Sequence, residues 1–495
     1  MTGVTAVDGR TFQSVDPATG QPVGTFPVHT EADVRAAVAR AGPAAEWWAG
    51  LGFAGRAARL GAWRARLAGS AADLAALVSR EGGKPVDDAM IELATAIEHL
   101  HWAPRNAERV LGPRRVRPGL LVANLAATLE YQPYGVVGVI GPWNYPVFTP
   151  LGSILYALAA GNAVVFKPSE YTPAVGRWLV DSFAAVVPEQ PVFQLVTGDG
   201  STGAALCRSG VDKLAFTGSA ATARKVMAAC AETLTPVLLE CGGKDAMIVA
   251  ADADVRAAAD AAAWGGMANA GQTCIGIERV YAVDAVYDEF VAALAERART
   301  LRPGTDYGPA TMPAQLDVIR RHVTDALDRG GRAVVGGADA VRPPYAHPTV
   351  LVDVPEDAPA VTEETFGPTL TVTRVADVDE AVEKANASAY GLGAAVFART
   401  GGEQIARRIR SGMASVNSVL SYAGVGALPF GGVGESGFGR IHGDDGLREF
   451  ARAKSISRPR FPAPLDVTRF DRKPWSMRVL GLILRARYGR APKQP

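Results

Sequence analysis

Between residues 135 and 250, short apolar runs alternate with helical stretches, and this pattern limits the fold more than any other property of the chain. The runs Val136–Ile140, Ala163–Phe166, Val192–Val196, Lys213–Phe216 and Pro236–Leu239 are separated by helical segments near 172–186, 201–208 and 220–232. Such runs make strands buried on both faces, and a helix between two of them returns the chain to begin the next in the same direction. The outcome is a parallel sheet covered by helices. A second series follows residue 243: Ala246–Val249, Arg279–Val283, Ala333–Val335, Leu370–Val375, Ala394–Phe397 and Ala414–Val416, with helices near 252–269 and 285–301. The expected fold class is therefore α/β, with two sheet-forming domains in a chain of 495 residues.

The flanks read differently. Thr30-Glu31-Ala32-Asp33 predicts a helix start, and alanine-rich amphipathic segments follow near 55–68 and 71–81. Leu121-Val122-Ala123-Asn124 and Ala127–Tyr131 read as extended. From about 462 the chain turns arginine-rich between Asp466 and Arg490. Trp475, Val479, Leu480, Ile483 and Leu484 fall on one helical face there, with Arg478 and Arg485 on another. Two readings stand: a helix docked on its own subunit or a neighbour, which is the preferred one, and a basic amphipathic helix at a membrane surface.

Net charge is +1, which gives no electrostatic argument for nucleic acid. Met1–Thr5 lacks the basic and apolar regions of a signal peptide. The longest apolar stretch, Ile154–Phe166, is broken by Gly161-Asn162. Four cysteines, Cys207, Cys230, Cys241 and Cys274, fit no zinc or disulfide spacing and suit a reducing, cytoplasmic compartment. No metal site is expected from the scattered histidines.

Chemistry concentrates where strands end. Cys274 follows the small residues of Gly271-Gln272-Thr273, which leave room for a substrate beside a nucleophile. Glu240 closes an apolar run, and burial raises a carboxyl group toward a useful base. Asn144, between Pro142 and Pro146, is a rigidly held amide able to donate to an oxyanion. Lys167 and Glu170, with Ser169 between them, follow a third strand and are suited to a ribose diol. Gly218-Ser219 opens a helix after a fourth and is suited to a pyrophosphate. No G-x-G-x-x-G fingerprint is present.

Together these segments resemble the aldehyde dehydrogenase superfamily from about residue 10 to about 458. The matches run in order through Glu81-Gly82-Gly83-Lys84-Pro85, Pro142–Pro146, Lys167–Glu170, Phe216–Ser219, Glu240 with Gly242-Gly243-Lys244, Gly271–Cys274, Glu364–Pro368, Asn386 with Tyr390-Gly391-Leu392, and Pro429–Gly432. The resemblance implies a Rossmann-type cofactor domain (1–112 and 135–242), a catalytic α/β domain (243–434), a bridging β arm (113–134 and 454–463) for dimers or tetramers, and a tail (464–495). It implies that Cys274 attacks an aldehyde, that Asn144 and the Cys274 N–H hold the oxyanion, and that Glu240 activates water to hydrolyse a thioester. NAD, or NADP, would lie against Trp143, Lys167, Ser169, Glu170, Gly198, Gly218, Ser219, Cys241, Glu364 and Phe366. A carboxylate at position 170 favours NAD.

Three positions depart from the family pattern. Cys241 replaces a usual leucine beside the base, where it is either an apolar substitute or a thiol able to link to Cys274 on oxidation. Ala223 stands where glycine is frequent, and the tail is long. Tyr145, Thr273, Ile275 and Phe430 would line the aldehyde channel and suit aliphatic or aromatic aldehydes. The Cys274 and Lys244 segments also look like those of some bacterial succinate-semialdehyde dehydrogenases, which makes that substrate the second expectation. A CoA-acylating enzyme would lack Glu240, and a cysteine hydrolase would need a histidine near Cys274. A non-catalytic protein on this fold is the remaining alternative.

Overall fold

The structure, a computed structural model, describes residues 4–6, 10–463, 465 and 467–489, so Met1–Gly3, Asp466 and Arg490 lie outside the described residues. It divides into two compact units. One holds the chain up to Val110 and Pro133–Arg452; the other holds Leu111–Gln132 and the chain from Ala453 onward.

The first unit begins with a small antiparallel sheet and four helices. Thr30 caps the first of these, Glu31–Gly50. Its hydroxyl accepts from Asp33 N, and the Asp33 carboxylate accepts from Thr30 N. The fourth, α1 (Val86–Leu111), supplies one wall of the site described below.

The alternating pattern produces two sheets. In the first, β1 (Val136–Ile140), β2 (Ala163–Lys167), β3 (Phe193–Leu195), β4 (Lys213–Thr217) and β5 (Val237–Glu240) run parallel in the order β5-β4-β1-β2-β3. Every residue of β1 and β2 is buried, as continuous apolar runs require. Between β1 and β2 lies α2 (Phe148–Ala160), whose second half, from Ile154, begins the long apolar stretch. Gly161, at φ +106°, ends the helix. α3 (Ala220–Ala231) connects β4 to β5.

The second sheet contains β6 (Asp245–Val249), β7 (Ile277–Val283), β8 (Arg332–Val335), β9 (Thr349–Val352), β10 (Thr369–Val375), β11 (Ala394–Phe397) and β12 (Ser415–Val416), in the order β8-β9-β10-β7-β6-β11-β12. Only β8 runs antiparallel, against β9. α4 (Val255–Met267) and Asp284–Thr300 pack on this sheet around Met247, Val280, Phe290 and Leu294. A last strand, β13 (Gly437–Phe438), returns to the first sheet antiparallel to β5.

The sequence reading leaves out β9, a four-residue run between Pro348 and Asp353. It also misplaces one extended segment in the second unit. Leu120–Val122 is a 3₁₀ turn closed by Ala123 N bonding to Leu120 O, and the strand begins only at Leu125. That strand, Leu125–Pro133, is the centre of a three-stranded sheet with Arg114–Val116 and Ala451–Pro459. Further on, α5 (Pro474–Tyr488) covers most of the tail. Among the described residues no helix is long and apolar enough to cross a membrane.

Candidate active site

Parallel pairing fixes where the site must lie. The register sets Ile140 beside Lys167 and Phe216, and Glu240 beside Thr217, so the loops after β1, β2, β4 and β5 leave one edge of the first sheet together. Only Cys241–Lys244 separates the end of β5 from the start of β6, whose first residue, Asp245, pairs with Ile277 of β7. The turn before β7 carries Cys274. The carboxyl edge of one sheet thus faces the amino edge of the other, with Glu240 and Cys274 on opposite banks.

The Cys274 turn is an unusual piece of backbone. Asn269, Ala270 and Gly271 all have positive φ, at +53°, +58° and +71°. The first two store strain that the surroundings must hold in place. A side chain at Gly271 would put its Cβ 2.1 Å from the Gly367 carbonyl. Asn269 supplies part of the support: its amide donates to Asn144 O at 3.2 Å and to Gln272 O at 3.1 Å. Gln272 adds bonds to Asn269 O and Pro309 O and accepts from Thr311 N.

The Asn144 loop is tied to the same turn. Asn144 Nδ2 donates to Gln272 O at 3.0 Å, two residues before the cysteine, which leaves one amide hydrogen free for another acceptor. Tyr145 Oη lies 2.9 Å from Thr273 Oγ1. Behind the loop stands a buried ion pair that sequence reasoning missed. Lys84 Nζ bonds Glu92 at 2.6 Å and Asn144 O at 2.7 Å, while the other Glu92 oxygen accepts from Val147 N and Phe148 N. Both side chains are almost fully buried. The signal was present in α1, where Asp88, Ile91, Glu92 and Thr95 recur at helical spacing and line one cavity.

That cavity, of about 290 Å³, contains the sequence-predicted channel residues Tyr145, Thr273, Ile275 and Phe430 together with Cys274 and Glu240. Phe148, Trp264, Val419 and Leu420 add apolar wall. Among the described residues, its charged lining is Lys84, Asp88, Glu92 and Glu240, with no arginine. Cys274 is partly exposed at this cavity. Burial, then the charges of Glu240, Glu364 and Asp245, push its thiol well above the ordinary range, while the Ile275 N–H works the other way. Glu240 is buried, its Oε1 has no hydrogen-bond partner, and burial raises its carboxyl group to about 8.

A second cleft, of about 710 Å³, opens at the strand ends of the first sheet. Trp143, Lys167, Ser169, Glu170, Gly218 and Ser219 all line it, as do Tyr171, Thr222 and Lys225. Lys167 Nζ lies 3.7 Å from Glu170, whose side chain is one-third exposed. Ser219 caps α3, the first turn of which carries no acidic residue, so its free N–H groups and positive end suit a phosphate. Ala223 is buried in that helix and is not a lining residue, whereas Thr222, Lys225, Val226 and Ala229 line the cleft.

Gly198, Cys241, Glu364 and Phe366 are not among this cleft's lining residues. Gly198, at φ +149°, packs so closely on Thr202 that a Cβ would lie 2.1 Å from its hydroxyl. Glu364 accepts from Gly243 N at 3.1 Å and fills the space a side chain at Gly242 would need; burial raises it to about 8. Phe366 meets Trp143 edge-to-face, ring centres 5.5 Å apart. Cys241 is a free, buried thiol pushed up to about 12 by burial and by Glu240 and Glu364. Lys244 forms a buried ion pair with Glu278, which also accepts from Thr365 N and Phe366 N and so anchors the Glu364 segment.

Comparison with known proteins agrees with this geometry. The sequence model described as "Aldehyde dehydrogenase family" matches residues 4–456. A Methylomonas protein named 4,4'-diapolycopene aldehyde oxidase is 37% identical over 462 residues, covering 91% of this chain and 87% of that protein. A Mycobacterium ulcerans protein provisionally named as an NADP(+)-dependent succinate-semialdehyde dehydrogenase is 37% identical over 466 residues, covering 92% and 90%. Among solved structures, the NAD-dependent aldehyde dehydrogenase of Sinorhizobium meliloti superposes with a TM-score of 0.88 at 32% identity, covering 94% of each chain.

Proposed function

This chain belongs to the aldehyde dehydrogenase family and is an NAD(P)+-dependent enzyme, and we propose that it oxidises apolar aldehydes to carboxylic acids through a thioester on Cys274. The observation that carries this reading is the shared channel. Cys274 and Glu240, from two different sheets, line one apolar cavity in which a Glu240 oxygen is left without a partner.

The steps follow from the groups present. The Cys274 thiol loses its proton to solvent as its sulfur bonds to the aldehyde carbon. The carbonyl oxygen, now an alkoxide, accepts from the free Asn144 amide hydrogen and the Cys274 backbone N–H. Trp143, Lys167, Glu170, Gly218 and Ser219 would hold the dinucleotide, which when bound supplies the hydride acceptor. Loss of hydride from the adduct carbon leaves a thioester. Glu240, when ionised, then takes a proton from water; the hydroxide oxygen bonds to the thioester carbon, the C–S bond breaks, the acid departs, and the Glu240 proton passes to the released Cys274 thiolate. The partly exposed Glu170 carboxylate beside Lys167 suits a 2′-hydroxyl and would repel a 2′-phosphate, which supports NAD+ as the preferred cofactor.

The channel's charges decide between substrate classes. Among the described residues Lys84 is its one cationic lining residue, and it is engaged by Glu92 and Asn144 O. Asp88 would oppose a second carboxylate, Glu92 is paired with Lys84 and Glu240 is held protonated at neutral pH, so an apolar aldehyde fits better than succinate semialdehyde. The test is the rise of reduced-nicotinamide absorbance with NAD+ or NADP+ across straight-chain, aromatic and acidic aldehydes. We expect the highest kcat/KM with an apolar aldehyde. A preference for succinate semialdehyde would overturn the substrate assignment, and no signal with any aldehyde would overturn the activity. Assembly into dimers or tetramers is supported by the strand Ala451–Pro459, which is exposed along nearly its whole length.

A further inference from the structure

We propose that α5 is a membrane-surface helix that docks the enzyme on anionic lipid. The structure divides this helix into stripes that the sequence pattern had merged. Ser476 is buried, and Val479, Leu480 and Ile483 are partly covered, so this stripe faces inward. Trp475 and Leu484, which the sequence placed on the same face, are turned out instead, 52% and 42% exposed.

The outward surface has a definite chemistry. Trp475, Arg478, Leu482 and Arg485 follow one another at spacings of three and four, and all are exposed. Met477, Leu484 and Tyr488 form a second exposed row. No acidic residue occurs in Pro474–Tyr488, whereas Arg478, Arg485 and Arg487 lie within it and Arg472 and Lys473 precede it, exposed as well. Arginines flanked by tryptophan, leucine and tyrosine are what a phosphate-headgroup layer over hydrocarbon selects: the guanidinium groups meet phosphates while the apolar rings and chains enter the acyl boundary.

Length sets the mode of contact. Fifteen residues span about 22 Å, short of the ~30 Å hydrocarbon core, so the helix lies along the surface rather than across it. Charge complementarity selects the lipid: a wholly basic rim favours anionic over zwitterionic headgroups. None of these residues lines the channel or the cofactor cleft, so the inference stands independently of the proposed chemistry.

The test uses the full chain, sedimented with vesicles of phosphatidylglycerol in phosphatidylcholine and of phosphatidylcholine alone. Binding is expected to the first, weakened by salt, with little to the second. The pair W475E and L482E should lower the bound fraction at least about tenfold, and R478Q with R485Q should do so on the order of tenfold. Aldehyde oxidation in solution should be unchanged in both variants. Wild type remaining in the supernatant with anionic vesicles, or variants that bind as wild type does, would overturn the proposal. So would a change in oligomeric mass on W475E and L482E substitution without lipid, because the helix would then be a contact between copies of the chain.

Discussion

Replacing Glu240 with glutamine should make the folded enzyme more stable, and increasingly so as pH rises. Glu240 is buried at the end of β5 with one oxygen unpartnered, and its carboxyl group is raised from 4.5 to about 8. Between those values the folded state binds a proton that the unfolded state has lost. Unfolding is therefore favoured progressively as pH increases through this window. From 4.5 to neutral pH, at about 1.4 kcal/mol per pH unit, the cost reaches roughly 3 kcal/mol, and it levels off near 5 kcal/mol above about pH 8. Glutamine has no such dependence. For a chain of 495 residues the unfolding entropy is about 1 kcal/mol/K, so the variant should melt roughly 3 °C higher at neutral pH and roughly 5 °C higher at about pH 9. At about pH 5 it should barely differ. Circular dichroism melts of both proteins across this range measure it. A difference that does not grow with pH, or a less stable variant, would show that Glu240 is already ionised and partnered, and the base assignment would fail with it.

Activity should depend on the same proton: kcat with an apolar aldehyde should rise with pH through about 8 if Glu240 is the base proposed for thioester hydrolysis, because it takes a proton from water only when ionised. A limb centred near 4.5 would mean the carboxylate is not raised. Asn144→Ala should lower kcat about 10²- to 10³-fold in steady-state assays, since one oxyanion donor is lost; an unchanged kcat would remove it from the machinery. Glu92→Gln leaves Lys84 buried without its counter-charge, so denaturant melts should show a loss of about 3–5 kcal/mol, and kcat should fall as the Asn144 loop loosens. Wild-type stability in this variant would mean the pair is solvated.

Much of this architecture was legible because each layer has a short-range cause. The runs Val136–Ile140 and Ala394–Phe397 became strands with those limits, since continuous apolar residues have no exposed face to offer. Thr30 capped its helix because the capping residues lie within four positions of one another. Tyr145, Thr273, Ile275 and Phe430, which the family resemblance suggested as neighbours, line one cavity. What escaped depends on distant parts of the chain. The Lys84–Glu92 pair matters only because a loop 60 residues on offers Asn144 O to it. Asn269 looks like an ordinary helix end until its positive φ and its bonds to two loops are seen. The division of α5 into covered and exposed rows depends on what packs against it, which periodicity alone does not specify.

The covalent role proposed for Cys274 can be read directly by acid-quenching the Glu240→Gln variant with NAD+ and an apolar aldehyde, then digesting it for mass spectrometry. The account predicts one equivalent of reduced nicotinamide per active site, no further turnover, and an acyl group on the peptide carrying Cys274. Reduced nicotinamide formed with that peptide unmodified, or an acyl group on another residue, would contradict it.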